Sequence, residues 1–568
     1  MNDRSTRLSQ STPNTEANFG TSNKIHAEVD IDEPAPPPVG RTAARGVSTN
    51  IILSLASKAL TVVAQVILAK HLSQSDFGLY ASALAIATVG LVFRNGGATE
   101  WIIQRGNKEF DRWIGPVFWM ALTFNLGIGI ILGAAAPIVA WQSGSTDLGW
   151  MVAIAAFAQV ISTVGDTLTS KLRMDLRFQR VAILGGVSGA VRPMVSSSCA
   201  IAGLGATSFI LPVPILVIWE SVFAWLSTRV SPWRRPAEWR TWKMILHQSR
   251  WIMINSGASA MMNAGDYAVL SFLLSAGQRG VYLFAFQLII QSGAILASNV
   301  SQVMFPTLAA LRGDPVRFRG ALMRTLRALT MVSAPTSIGL AAVIAPINTW
   351  LLDGAWNQAV PIIIIVSVLF PPRAILALPL ASLMAQGKFK ANCLITSIVG
   401  TTCMAGAAAG AIAAMYLDAA LINALADSLA LPHDSAIRAI AADGLFDIVT
   451  NGALGAALGC GVARAFSCIW SIVWALKQSG IKRRDSLRGL FDNWILATFA
   501  LFPTLALDWY VIDHLHPIFR IAACSVVYSA IWFILTRTLF PNDLRDLLFA
   551  LPVRMRSVGM RLLLLRES

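Results

Sequence analysis

Leu72–Tyr80 reads LSQSDFGLY, and Leu274–Tyr282 reads LSAGQRGVY. Leu, Ser, Gly and Tyr return at the same four places: Leu72/Leu274, Ser73/Ser275, Gly78/Gly280 and Tyr80/Tyr282. Each phrase separates two apolar runs of about 20 residues, the length that crosses a ~30 Å hydrocarbon core as a helix. Such runs recur along most of the 568-residue chain, which is 55% hydrophobic and only 13% charged. Its mean hydropathy is +0.61. In hydrocarbon every backbone polar group needs an internal partner, so the runs are helices or the strands of a closed barrel. They are too long and too evenly apolar for barrel strands, which alternate over ~10 residues. The sequence therefore predicts an all-α integral membrane protein with about fourteen transmembrane helices.

Lys and Arg sort the loops into two sets. RGNKEFDR (105–112), KLRMDLRFQR (171–180), RVSPWRRPAEWRTWK (229–243), LRGDPVRFRG (311–320), QGKFKAN (386–392) and KQSGIKRRDSLRG (477–489) form one. Between them come HLSQSDFG (71–78), QSGSTDLG (142–149), GLGATS (203–208), SAGQRG (275–280), LLDGAWNQ (351–358) and DHLHP (513–517). With the two tails, the first set holds about 36 of the 45 basic residues and the second about four. Both termini are therefore expected in the cytoplasm. The net charge of +15 is this positive-inside signal. It implies contact with anionic membrane lipids and needs no nucleic acid.

The two phrases sit in turns of the same orientation, between spans 1 and 2 and between spans 7 and 8. A second echo joins spans 4–5 and 10–11: LRFQRVAILGGVSG (176–189) and GKFKANCLITSIVG (387–400). The chain thus reads as two parallel six-helix lobes plus two C-terminal helices, a duplication that places a substrate between the halves. The expected divisions are a disordered cytoplasmic tail (1–45), an N-terminal lobe (46–231) and a cytoplasmic linker (232–249). A C-terminal lobe (250–478) with a periplasmic insert (418–451) follows, then the two extra helices (479–541) and a basic amphipathic cytoplasmic tail (542–568).

HLSQSDFGLYA, followed by WIIQRG, and NAGDYAVLSFLLSAGQRGVYLFAFQL resemble the polysaccharide transporter family of Wzx-like oligosaccharide flippases. That family lies in the multidrug/oligosaccharidyl-lipid/polysaccharide exporter superfamily. The resemblance covers about Arg45 to Thr538 and is strongest in spans 1, 2, 7 and 8. It implies a two-lobed protein of the bacterial inner membrane that moves an undecaprenyl-pyrophosphate-linked oligosaccharide to the periplasmic leaflet for exopolysaccharide or lipopolysaccharide synthesis. A polysaccharide polymerase and chain-length or export proteins are the implied protein partners. The insert and the long N-terminal tail depart from the family pattern.

Such a cargo needs a wet, cationic path, and an ionisable residue inside a span is costly enough to suggest one. The basic candidates for substrate binding are Lys58, Arg94, Arg192, Arg373 and Arg464. A guanidinium suits phosphate oxygens because its planar fork binds them in pairs. Pro193 after Arg192, and Pro371 and Pro372 before Arg373, are expected to bend their helices. Asp266 and Asp166 are candidates for coupling transport to a proton or Na+. Asp266 continues a polar stripe with Asn255, Ser259 and Asn263, expected on the central cavity. Asp166 is expected to meet Arg373, because spans 4 and 10 are repeat-equivalent. The six Cys lie in apolar segments without a CxxC pair, and His514 and His516, the one close histidine pair, are weak alone as a metal site. Nothing here points to a metal, a cofactor or a catalytic centre. A cation-coupled exporter of small amphipaths is the competing reading. An integral membrane glycan polymerase is a third, and the lack of a paired-carboxylate loop counts against it.

Overall fold

The computed structural model describes residues 56–540, except 93, 106–108, 176, 312, 417–451 and 482–489. Both tails and the insert lie outside the described residues. Among those described there is no strand. The first half holds α1 (56–71), α2 (Gln74–Val92), α3 (Ala98–Arg105), α4 (Phe110–Ser143), α5 (Thr146–Met174), α6 (Phe178–Ile201) and α7 (Pro212–Thr228). The second holds α8 (Trp239–Leu273), α9 (Ala276–Ala310), α10 (Pro315–Leu351), α11 (Ala359–Leu369), α12 (Pro371–Ala385), α13 (Phe389–Tyr416) and α14 (Gly452–Gln478). Two more follow, α15 (Asp492–Tyr510) and α16 (Pro517–Leu539). Each apolar run of the sequence thus coincides with a helix or a broken pair of helices. Among the described residues seven helices are long and apolar enough to cross a membrane, or eight with α11 and α12 taken as one bent span, so the expected count of fourteen is not reached by that measure. The all-helical membrane fold is borne out.

The same helix pairs meet in each half. α4 packs on α5, and α5 and α6 on α7; correspondingly α10 packs on α11, and α12 and α13 on α14. α8 packs along α13, as α1 meets α6 through a bond from Ser57 Oγ to Gly186 O (3.4 Å). α8 begins at Trp239, within the expected linker.

The prolines act unequally. α6 continues unbroken past Pro193, whereas α11 and α12 are bent by 41° at Phe370. Pro372 has no N–H for the carbonyl of Val368, one turn back. That carbonyl takes a bond from the Trp494 indole of α15 instead (2.6 Å). The freed acceptor is therefore spent on anchoring the C-terminal pair rather than on lining a cavity. Small residues finish the joint: Ala334, Ala341 and Ala342 of α10 bury Ala497 and Ala500 of α15. Arg520 of α16 ties the pair together, with Nε 2.8 Å and Nη2 3.0 Å from the two oxygens of Asp508.

The halves meet where α2 crosses α9, and the crossing runs through the repeated phrases. A Cβ on Gly78 would lie 1.8 Å from the Ala276 carbonyl oxygen, and one on Gly280 would lie 1.7 Å from that of Gln74. No side chain fits, so backbones touch at both repeat-related glycines. The phrase is written twice because each half supplies one side of this contact.

Candidate functional site

The crossing lies at the Lys- and Arg-poor end of the bundle, and a loop closes over it. Between α10 and α11 the chain turns through Asp353 and Gly354, both left-handed (φ 51° and 75°). Asn348 holds the turn, accepting from Trp356 N (3.2 Å) and donating to Asn357 Oδ1 (2.7 Å). Trp356 is thereby driven across the interface. Its indole N–H donates to Ala69 O at the end of α1 (2.9 Å). Its ring lies 4.9 Å from Phe77 of α2 and 4.1 Å from Phe284 of α9, centroid to centroid. Gln74 donates to Ala355 O (3.1 Å). Phe209 continues the plug, edge-on to Phe77 and stacked on Tyr80. Trp356 is only 2% exposed, so this end is sealed.

Deeper in the first half, α2 breaks. Arg94, Asn95, Gly96 and Gly97 form a kink, with Asn95, Gly96 and Gly97 all left-handed. A break inside a membrane protein needs other partners for its backbone. Asn125 of α4, fully buried, supplies them. Its Oδ1 accepts from Asn95 N (3.1 Å), and its Nδ2 donates to Asn95 Oδ1 (2.6 Å) and Thr163 Oγ1 (2.8 Å). Ser249 Oγ, from α8, donates to Gly96 O (3.0 Å). The turn aims Arg94 at Asp166 of α5, with Nε 3.0 Å and Nη2 2.7 Å from Oδ2. This corrects the expected Asp166–Arg373 pair: the break delivers a guanidinium to Asp166 within its own half, and Asn95 Nδ2 adds a further bond (3.1 Å).

In the second half, Arg464 of α14 lies 3.3 Å from Asp266 Oδ2, and both are buried. Tyr282 of the second phrase donates to the same oxygen (2.8 Å). Arg464 also donates to Cys403 Sγ from Nη2 (2.7 Å) and Nε (3.2 Å). The expected polar stripe therefore divides. Asn255 accepts from Asn392 of α13 (2.9 Å), and Asn263 is exposed. Asp266, at 2% exposure, is turned into its lobe and lines no open cavity.

Of the four candidate arginines, Arg192 and Arg373 pair with no carboxylate among the described residues. Arg192, in the middle of α6, is exposed and reaches the Tyr80 hydroxyl (3.5 Å). Arg373, half-buried at the start of α12, donates to Asn263 Oδ1 (2.9 Å). Lys58, on α1, is half-buried. Glu220 accepts from Ser188 Oγ (2.7 Å). Sequence reasoning named the five cations but missed Asn125, Trp356 and the cysteine contacts. An Asn with no apolar-side alibi in the middle of a span was the available signal for Asn125.

The comparisons follow this geometry. The model of the family described as polysaccharide biosynthesis protein matches residues 67–361. The chain belongs to that family. The matched stretch holds both phrases, the α2 break and Trp356. A bacterial relative, the succinoglycan biosynthesis transport protein ExoT of Rhizobium meliloti (strain 1021), is 23% identical over 334 residues. That match spans 57% of this chain and 65% of the relative, a little under two thirds of its length. The lipopolysaccharide biosynthesis protein WzxC of Escherichia coli (strain K12) is also 23% identical, over 64% of this chain and 74% of its own. Among solved structures, the lipid II flippase MurJ in an inward closed conformation superposes with a TM-score of 0.60 at 16% identity. It covers 86% of this chain and 98% of MurJ. An inward-facing multidrug resistance MATE transporter gives 0.51 at 12% identity, over 76% and 98%. These likenesses show that this polysaccharide biosynthesis family member shares the fold of those two solved structures.

Proposed function

We propose that this chain is a flippase that carries a lipid-linked oligosaccharide, built on undecaprenyl pyrophosphate, from the cytoplasmic to the periplasmic leaflet of a bacterial inner membrane. The observation that carries the reading is the placement of Arg192 and Arg373. A mid-span arginine exposed to hydrocarbon is costly, so exposure there argues for a watered path. Neither has a carboxylate to neutralise it in the contacts above, so each keeps its charge for an anionic headgroup. Arg94 and Arg464 are held by Asp166 and Asp266, and serve the cargo only if those pairs open. The names of the relatives, with succinoglycan and lipopolysaccharide as their products, support a glycan cargo. A multidrug exporter of cationic amphipaths would face its path with carboxylates; here Asp166 and Asp266 are each bound to an arginine, and Glu220 accepts from a serine.

The sealed end is periplasmic in this reading, because it lies among the loops poor in Lys and Arg. Both termini are then cytoplasmic, the two lobes are 46–231 and 250–478, and the pairs at Asp166 and Asp266 are where a proton or Na+ would act. Deleting the gene tests the reading. The polymer should disappear from the cell surface, and lipid-linked repeat units should accumulate on the cytoplasmic leaflet. Normal export in a strain without a second flippase would refute it.

A further inference from the structure

The seam between α13 and α14 is the tightest helix contact in the second half. A Cβ on Gly410 would lie 2.0 Å from Gly455 O, and one on Gly459 would lie 2.1 Å from Gly406 O. Gly406/Gly410 and Gly455/Gly459 are each four residues apart, the spacing that lets membrane helices approach backbone to backbone. One turn along this seam, Cys403 and Cys460 face each other with their sulfurs 2.8 Å apart. They are 1% and 0% exposed, and no other pair of sulfurs is in contact among the described residues. Arg464 directs Nη2 and Nε at Cys403 Sγ. A guanidinium there stabilises the negative charge the sulfur carries as it attacks an electrophile.

We propose that Cys403 and Cys460 are a redox-modifiable dithiol, closed to a disulfide by a hydroperoxide. The inference is independent of the flippase reading. Cys403 sulfur attacks one peroxide oxygen and breaks the O–O bond, giving a sulfenic acid and, with its own proton, one water. Cys460 sulfur then displaces the hydroxyl, which leaves with the Cys460 proton as a second water. Two thiols and one hydrogen peroxide become one disulfide and two waters; sulfur loses two electrons and the peroxide gains them. The seam makes this possible, because the sulfurs already touch at 2.8 Å and need approach by only about 0.8 Å to reach bonding distance. Asp266 brings a third ligand atom, and it and the two sulfurs lie within 4.8 Å of one another. A metal is nevertheless the poorer occupant, since Arg464 already rests on Cys403 and Asp266 and supplies the positive charge.

The full chain, reduced and then freed of reductant in lipid nanodiscs, is treated with hydrogen peroxide, denatured, alkylated and analysed by mass spectrometry. Cys403 and Cys460 should leave the alkylated pool together as one linked peptide pair and return on dithiothreitol, while Cys468 and Cys524 stay alkylated. In Cys460→Ser the reaction should stop at a Cys403 sulfenic acid that dimedone captures. Linkage should also raise the midpoint of thermal unfolding of the parent by a few degrees, and not that of Cys460→Ser, because it closes the loop between the two positions. Cys460→Ala, which buries no hydroxyl, repeats the dimedone arm should the serine variant lose its size-exclusion profile. Cys403 and Cys460 remaining as alkylatable as Cys468 and Cys524 after peroxide would overturn the proposal. So would a Cys460 link to any residue but Cys403.

Discussion

Trp356→Ala is the perturbation that most directly tests whether the sealed end is a gate. The indole is 2% exposed, donates to Ala69 O at 2.9 Å and packs against Phe77 and Phe284. Truncating a buried Trp costs about 3–5 kcal/mol in a packed site. If the seal opens during transport, the loop leaves this site, and most of that cost falls on the sealed state alone. A differential of only about 2 kcal/mol shifts the ratio of open to sealed protein about 30-fold. Asn263→Cys is a suitable reporter, because Asn263 is exposed on α8. A membrane-impermeant maleimide added from the periplasmic side should label it at least tenfold faster when Trp356 is Ala. Trp356→Phe keeps the ring and loses the N–H, so it should fall between. As a converse, Gln74→Cys with Ala355→Cys should link across the interface and stop transport until reduced. Unchanged labelling in Trp356→Ala, with protein at parental abundance, would show that this end does not open and would refute the reasoning.

The remaining expectations concern charge and orientation. Arg192→Ala and Arg373→Ala should each impair transport of the lipid-linked unit while the protein still inserts at normal abundance, since each forfeits a charge-assisted bond of about 1.5–3 kcal/mol to the headgroup. Lys should rescue in part by keeping the charge without the fork, and Gln should not; full activity in both Ala variants, measured by leaflet accumulation, would remove the support for a cationic path. Asp166→Asn should instead lower abundance or thermal stability, because it strands Arg94 beside the broken helix, and parental stability would contradict that role. A Cys placed at Asp434 should react with an impermeant reagent from outside and one at Arg483 should not, and the reverse pattern would end the assigned topology.

What the sequence made legible, and what it hid, divides along a physical line. Apolar length is local, so every run could be read as a helix. The repeat was legible because a backbone crossing tolerates only glycine, and Gly78 and Gly280 carry that constraint in their identities. Partners far apart in the chain were not legible. Trp356 and Ala69 are 287 residues apart, and nothing around LLDGAWNQ says that its Trp reaches another half. Cys403 and Cys460 look like small packing residues until α13 and α14 are laid side by side. Asp166 was matched to Arg373 by repeat equivalence, yet the RNGG break, unreadable as a run of apolar residues, brings Arg94 to it instead.

That last mismatch sharpens the charge argument. Five cations were candidates for one role, and counting alone could not rank them. The structure separates them by partner. Arg94 and Arg464 face carboxylates at 2.7 Å and 3.3 Å, so drawing either toward a phosphate would leave Asp166 or Asp266 with an uncompensated charge, a penalty of several kcal/mol in a partly or fully buried site. Arg192 and Arg373 would give up only a tyrosine hydroxyl and an asparagine carbonyl, neutral partners worth about 1 kcal/mol each. A pyrophosphate entering the path therefore gains most from those two. They also sit on opposite halves, on α6 and α12, so an anion held by both would tie the lobes together across the interface that α2 and α9 close. On the proposed reading, cargo binding and the position of the lobes would be one equilibrium, and an Ala at either arginine should weaken both.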